Sequence, residues 1–158
     1  STPTYSSTSQ YYHVVMHADT NNATASLRCR VWIDGSEITA WDTDFRSSIS
    51  TGTDYAFNNA VAHYIGRGGD SAVRYFNGSM ALMYVFDGVA LAGLMPSAFS
   101  SAGTAQLYSG SYGAQGSFLN FSNSGSLGTD SSGNGNAWSL TNINSGNFVS
   151  GGGPPKNY

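Results

Sequence analysis

The chain has 158 residues, enough for one domain with a buried core. Only 9% of the residues are charged, and the six basic ones cannot form a stripe that neutralises several phosphates, so nucleic acid is not an expected partner. No apolar run reaches the roughly 18 residues of a membrane-spanning helix, so no membrane partner is expected. The single cysteine, Cys29, excludes an intrachain disulfide.

The first predicted elements form a β-hairpin. Residues 1–10 are a Ser- and Thr-rich lead that we expect to be extended. Tyr11–Ala18 and Leu27–Ile33 both alternate in side-chain character, which indicates strands, and Asp19–Asn22 has the composition of a turn. Asp34-Gly35 ends the second strand. The pattern predicts an antiparallel hairpin with one face in water.

The predicted wet face carries a polar and aromatic set. Arg28, Arg30 and Trp32 alternate along the second strand, and His13 and His17 share one face of the first. Guanidinium donors beside an aromatic ring suit a sugar, so these five are candidate glycan- or partner-binding residues. The alternative is that this face packs against other strands or a neighbouring protein. A shared zinc ion is not expected, because the two histidine Cα atoms are about 13 Å apart on a strand.

The middle of the chain contains the most apolar segment. A polar loop from Trp41 to Asn59 follows one short strand near Ile38–Trp41, and Val61–Gly66 reads as another strand. Between Gly78 and Gly88 all residues except Ser79 and Asp87 are apolar. A continuous apolar run bounded by turn residues predicts a strand that is covered on both faces.

The later segments are short and separated by Gly, Ser and Asn. Pro96–Phe99 could form one helical turn, and Leu107–Tyr112 and Ser117–Phe121 read as strands. Residues 150–158 form a Gly- and Pro-rich tail. Many short strands without an amphipathic helix predict an all-β, antiparallel β-sandwich or jelly roll over residues 11–149.

Seven segments share a recognisable order and spacing: Tyr11–Asp19, Arg30–Gly35, His63–Gly66, Tyr75–Leu91, Pro96–Phe99, Gly116–Ser122 and Leu127–Trp138. In that order and spacing they resemble the laminin-G-like, concanavalin A-like domains of bacteriophage structural proteins. The resemblance implies a non-enzymatic virion module, in a fibre, spike or capsid decoration, that acts in assembly or in recognition of host-surface glycans. Its expected partners are other virion proteins or copies of itself in a homo-oligomer.

The chain departs from the family at its N-terminal side. Family members usually carry several strands ahead of the segment that matches Tyr11, where this sequence has ten residues. The resemblance therefore implies a sandwich that is incomplete at the N-terminus. Such a sandwich would expose strand edges, and oligomerisation would cover them.

The resemblance also raises the question of calcium, because laminin-G-like domains often bind it at a sandwich rim. Asp130, Asn134 and Asn136 place oxygen atoms in a Gly-rich loop, and they are the candidate metal ligands. The alternative is a hydrogen-bonded turn in which the Asp130 carboxylate accepts from loop amides. No other cofactor is expected.

Two other functions remain as alternatives. A carbohydrate-active enzyme of the same fold would need two carboxyl groups beside the scissile bond. Glu37 is the only glutamate, and Asp42 and Asp44 have the required spacing in a polar segment. No Gly-x-Ser-x-Gly motif is present for a serine hydrolase. The third alternative is a secreted, lectin-like module of cellular origin.

Overall fold

The computed structural model of the chain describes residues 11–56, 59–68, 75–89, 100–101, 104–105 and 107–148. Within these ranges the regular structure is mostly β, and no helix reaches seven residues. The predictions for the lead 1–10, the turn Pro96–Phe99 and the tail 150–158 lie outside the described residues.

All strands of the described ranges are short. They are β1 (Val14–Ala18), β2 (Cys29–Ile33), β3 (Ser36–Glu37), β4 (Met83–Val85), β5 (Ser100–Ser101), β6 (Thr104–Ala105) and β7 (Ser117–Leu119). Single 3₁₀ turns cover Ala25–Leu27, Arg46–Ser48 and Ser145–Asn147. The strands pair as β1-β2-β3, β4-β7 and β5-β6, and each pair is antiparallel. The antiparallel β class that the sequence predicts is therefore confirmed.

The chain divides into two compact units, and the first, Ser1–Phe76, contains the predicted hairpin. In β1 and β2, Val15 lies opposite Trp32 and His17 lies opposite Arg30. Because facing residues of an antiparallel pair share one side of the sheet, this register fixes two faces. The predicted pairing of the two strands is confirmed.

A two-residue turn at Asp34-Gly35 joins β2 to β3. The φ angles of Asp34 and Gly35 are 47° and 83°, both positive. Positive φ at both central residues is the geometry of a type I′ turn, for which Asp-Gly is a favoured sequence. The tight turn places Ser36 directly opposite Ile33. The third strand therefore starts at Ser36, earlier than the predicted Ile38–Trp41.

The prediction of which hairpin face meets water is wrong. Trp32 is 3% exposed and Arg28 is 8% exposed, whereas Val14 and Met16 on the opposite side are 58% and 70% exposed. Alternation along a strand shows which side chains share a face, but not which face the rest of the chain covers. In this unit, carbonyl groups of the loops bind Arg28, as described below, and the polar face is the covered one.

The second unit, Asn77–Tyr158, contains the apolar run. Only Met83–Val85 of that run forms a strand, which pairs with Ser117–Leu119. The residues from 80 to 87 are half-buried, so the expected full burial on both faces is wrong. The most buried apolar side chains lie on the partner strand, where Phe118 is 5% exposed and Leu119 is 3% exposed.

Stacked aromatic rings hold β4 and β7 together. Tyr84 lies opposite Phe118 in the register, and their rings are nearly parallel with centroids 4.5 Å apart. Phe86 and Tyr112 extend the stack, at 5.5 Å from each other. Tyr108 meets Phe86 edge to face at 5.0 Å. Offset and edge-to-face pairs of this kind add stability beyond the apolar area that they bury.

Two predicted strands are irregular segments in the structure. Val61–Gly66 forms no strand, although a bridge follows it between Arg67 and Tyr75. Leu107–Tyr112 instead bends at Gly110, and the Tyr112 hydroxyl donates to the Tyr108 carbonyl at 3.1 Å. An apolar segment becomes a strand only when another strand pairs with it, which a single segment's sequence does not show.

Candidate functional site

The polar face of the β1-β2-β3 sheet brings together three of the five predicted binding residues. Arg30 lies opposite His17, and its guanidinium carbon is 4.5 Å from the centre of the Trp32 ring. The Arg30 Nε atom also donates to Oε1 of Glu37 at 2.8 Å, and the two side chains form a salt bridge. Arg30 is therefore engaged by a ring and by a carboxylate of its own sheet.

Arg28 directly precedes β2 and binds the backbone of two loops. Its Nε donates to the carbonyl of Asn22 at 2.8 Å and its Nη2 to that of Ala23 at 3.1 Å. Its Nη1 donates to the carbonyl of Ile49. The three nitrogens of the guanidinium thus fasten two separate loops to β2. Such a buried, hydrogen-bonded arginine is a structural group.

The two predicted histidines are partly buried, and burial lowers the pKa of each. At His13 the negative charge of Asp34 opposes this effect without reversing it. At His17 burial lowers the pKa, Asp19 opposes it, and Arg30 lowers it further. Within the described part of the chain, the buried Nδ1 of His17 has no hydrogen-bond partner. Both imidazoles are therefore favoured in the neutral form.

These contacts remove the geometric basis of the predicted glycan site. Trp32 is buried and cannot present its ring face to a sugar, and Arg28 has its guanidinium nitrogens bound to carbonyls. Of the five predicted binding residues, Arg30 combines a charge with a partly exposed side chain. That charge is paired with Glu37. Glycan binding by these residues stays a prediction, and the alternative of a packed face agrees better with the contacts.

In the second unit, the Asp130 carboxylate accepts four hydrogen bonds. Oδ1 accepts from the backbone N–H of Phe118 at 2.8 Å and of Ser132 at 2.9 Å. Oδ2 accepts from the Ser132 hydroxyl at 2.8 Å and from the backbone N–H of Asn136 at 2.9 Å. Burial raises the pKa of Asp130, but these hydrogen bonds together outweigh that effect and lower it.

The other two predicted calcium ligands act as donors. Nδ2 of Asn134 donates to the carbonyls of Gly113 and Gly116, at 2.7 and 2.9 Å. Nδ2 of Asn136 donates to the carbonyls of Ala114 and Gly116, at 3.0 and 2.9 Å. We call residues 130–136 the amide clamp, because their side chains hold the turn that leads into β7.

The amide clamp matches the hydrogen-bonded turn that the sequence offered as the alternative to calcium. A calcium site needs several oxygen atoms that converge on one point, whereas the Asp130 oxygens here point at N–H and O–H donors. Among the described residues, no group of three or more His, Cys, Asp or Glu side chains could hold a metal ion. Calcium binding stays a prediction.

Two of the three carboxylates considered for catalysis, Glu37 and Asp44, are paired with arginines. The hydrogen bond from Arg30 lowers the pKa of Glu37, and hydrogen bonds from the Arg46 side chain and backbone lower the pKa of Asp44 to about 2. Arg46 also lies over the Trp41 ring, at 5.0 Å from its centre. A general acid needs a raised pKa so that it stays protonated near neutral pH. These two groups have the opposite shift.

Sequence reasoning missed a partly exposed apolar sheet surface in the first unit. We call it the apolar face; its members are Val14, Met16, Ala18, Cys29, Val31 and Ile33. The residues on β1 are exposed and those on β2 are half-buried. The alternation of β1 indicates that one side of the strand is apolar, but alternation alone does not show whether that side faces the core or water.

The described ranges contain no helix with the length and apolar character of a membrane span. Comparisons with protein-family models, with curated proteins and with solved structures give no match to this chain.

Proposed function

We propose that this chain is a non-enzymatic module of a virion, of the laminin-G-like β-sandwich type, and that it acts in assembly by pairing with further copies of itself. The observation that carries the proposal is the apolar face of the first unit. A sheet with one apolar side is stable when another layer covers that side, and Met16 at its centre is 70% exposed. A second copy would provide that layer.

The chemistry of the apolar face favours a copy of the same chain as its partner. All six members of the face are uncharged, so two such faces can stack without burying an unpaired charge. With a formal net charge of only −3, the repulsion between copies is small. Two sheets that pack face to face in this way form a sandwich.

The paired carboxylates support a role without catalysis. Glu37 and Asp44 each form a salt bridge with an arginine and are held in the ionised state. The competing hypothesis of a carbohydrate-active enzyme therefore needs a general acid other than Glu37 and Asp44. Hydrolysis of a glycan by the chain, lost in Asp42→Asn or Asp44→Asn, would favour the enzyme over the proposal.

The test measures the native mass of the assembly. We expect the wild-type chain to form an oligomer whose mass falls toward that of the monomer in Met16→Glu, because the introduced charge would be buried between two apolar faces. Phe45→Glu is the matched control: it adds the same charge at a side chain that is also strongly exposed, at 72%, but lies outside the apolar face. The control should keep the wild-type mass.

Three results would contradict the proposal. They are a wild-type chain that stays monomeric at all concentrations, an oligomer that is equally stable in both variants, and strong, specific binding of the monomer to one sugar on a glycan array. The last result would favour recognition over assembly. Detection of the chain by mass spectrometry in purified phage particles would test the assignment to a virion.

A further inference from the structure

The sequence contains two Asn-Gly pairs, Asn77-Gly78 and Asn134-Gly135. Asparagine is a thermolabile residue, and a following glycine makes it more reactive because glycine has no Cβ to obstruct the backbone nitrogen. Both asparagines are exposed, so exposure alone does not distinguish them. Their surroundings do.

Asn77 lies in an exposed stretch. All five residues from Tyr75 to Ser79 are exposed, including the aromatic side chains of Tyr75 and Phe76. This exposure leaves room for the Asn77 side chain to turn toward the backbone nitrogen of Gly78. That rotation is the conformational step that the reaction needs.

Asn134 is held by the amide clamp. Its Nδ2 donates to two carbonyls, those of Gly113 and Gly116, and its own N–H donates to the Ser132 hydroxyl at 3.2 Å. The following residue, Gly135, has a φ of 78°. To react, the Asn134 side chain would have to break two hydrogen bonds and rotate away from both acceptors.

We propose that Asn77 is a site of spontaneous deamidation and that the amide clamp protects Asn134 from the same reaction. In the first step, the Gly78 backbone nitrogen loses its proton to solvent base and attacks Cγ of Asn77. The new C–N bond closes a succinimide ring, and the Cγ–Nδ2 bond breaks, which releases ammonia. Water then opens the ring at either carbonyl and leaves aspartate or isoaspartate. No electrons are gained or lost.

The modification would change the surface of the protein. It adds one negative charge to a chain whose formal net charge is −3, and the isoaspartate product inserts an extra backbone carbon into the exposed stretch. At Asn134 the same change would replace a donor with a carboxylate that faces two carbonyl oxygens. The clamp therefore protects the position where the product would be most damaging.

The test is peptide mapping after incubation of the full chain in mildly alkaline heavy-oxygen water. Hydrolysis of the succinimide incorporates one heavy oxygen, which marks the modified residue by mass. In the folded chain we expect the label at Asn77, with a rate at Asn134 that is lower on the order of tenfold or more, because two hydrogen bonds must open first. In the same chain unfolded by denaturant, the two rates should become similar.

Ser132→Ala provides a second measurement, because it removes the hydroxyl that bonds both Asp130 and the Asn134 backbone. This variant should speed the reaction at Asn134 and leave that at Asn77 unchanged. Three results would overturn the proposal: equal rates in the folded chain, a folded Asn77 that is much slower than the unfolded one, or an Asn134 that stays slow in denaturant. The unfolded measurement remains decisive if the variant fails to fold.

Discussion

At the scale of the residue, Asp130 connects more backbone than any other side chain of the second unit that we describe. Its four hydrogen bonds join β7 to the amide clamp, and bonds to a charged acceptor are stronger than neutral ones. The sequence predicted, as one of two alternatives, that Asp130 accepts hydrogen bonds from loop amides, but it did not identify which residues donate them. Hydrogen bonds to backbone amides depend on how two segments meet, which residue types alone do not determine.

We expect Asp130→Asn to destabilise the chain by about 1–3 kcal/mol, because an amide cannot accept from donors on both of its terminal atoms. Urea unfolding followed by tryptophan fluorescence measures the loss. Asp54→Asn is the control, since Asp54 is an exposed carboxylate, and it should leave the midpoint unchanged. Equal midpoints for both variants would mean that the amide clamp contributes nothing to stability.

The same carboxylate should make the protein sensitive to acid. Its pKa is lowered in the folded chain, so the unfolded chain takes up the proton first, at about pH 3.9. The stabilisation is complete above that pH and is lost as the pH falls through the lower, folded value. We expect Asp130→Asn to flatten the dependence of the unfolding free energy on pH below about 4. An unchanged slope would assign the acid sensitivity to other groups.

His17 should act in a different pH range. Burial lowers its pKa in the folded state, so as the pH falls below about 6.5 the unfolded chain binds the proton before the folded one does. Stability is therefore full above about pH 6.5 and declines as the pH falls toward the folded pKa. The variant His17→Phe should show a smaller decline in urea unfolding, with the remainder due to His13. A decline as steep as that of the wild type would contradict this assignment.

At the scale of the element, the turn before β7 depends on a glycine. Gly113 has a φ of 76°, and a Cβ at this position would collide with the carbonyl oxygen of Asp87. Gly133 also has a positive φ, 90°, but a Cβ there would meet nothing. The two positions separate the cost of the backbone conformation from the cost of the collision.

We expect Gly133→Ala to cost about 1–2 kcal/mol, the penalty of a left-handed conformation. Gly113→Ala should cost more, because the turn must also move away from Asp87. Thermal unfolding of both variants provides the comparison. Equal losses would show that the turn yields easily and that the collision has no energetic weight.

The strand pair β4-β7 allows a test of where the core of the second unit lies. Phe118 is 5% exposed and stacks on Tyr84, so Phe118→Ala should destabilise the chain by about 3–5 kcal/mol. Leu107, in the same unit, is 57% exposed, and Leu107→Ala should change stability by less than about 0.5 kcal/mol. Denaturant midpoints measure both. Similar midpoints for the two variants would place the core elsewhere.

Elements could be predicted from sequence where local chemistry determines them. The Asp34-Gly35 pair requires positive φ angles and gave the end of β2 correctly, and alternation located β1 and β2. The extent of β4 and the two predicted strands at Val61–Gly66 and Leu107–Tyr112 could not be predicted in the same way. Strand length depends on a distant partner, and no local pattern specifies it.

At the scale of the whole molecule, the low charge content governs behaviour in solution. The isoelectric point is near 5.3, and few charges are available to keep copies apart at any pH. The composition therefore indicates that electrostatic repulsion between copies is weak. Composition does not show which surface is exposed to other copies, because the exposure of the apolar face follows from the loops that bind Arg28 on the other side of the hairpin.

We expect the association of the chain to be strongest near pH 5.3, where net repulsion vanishes, and to weaken on either side. Static light scattering across pH measures it. Met16→Glu and Phe45→Glu carry the same charge change, so a difference between them at one pH reports the apolar face alone. Coincident profiles would mean that net charge, and not this face, controls association.

The thioether of Met16 gives the exposed sheet surface a sensitivity to oxidants. A side chain that is 70% exposed is open to peroxide, and the sulfoxide that forms is polar and unsuited to a dry contact. Peroxide would then prevent docking if applied first, and would spare the sulfur if applied after the copies have joined. Comparing oxidation by peroxide before and after association would therefore show whether Met16 is buried between copies. Methionine sulfoxide reductase would restore the thioether.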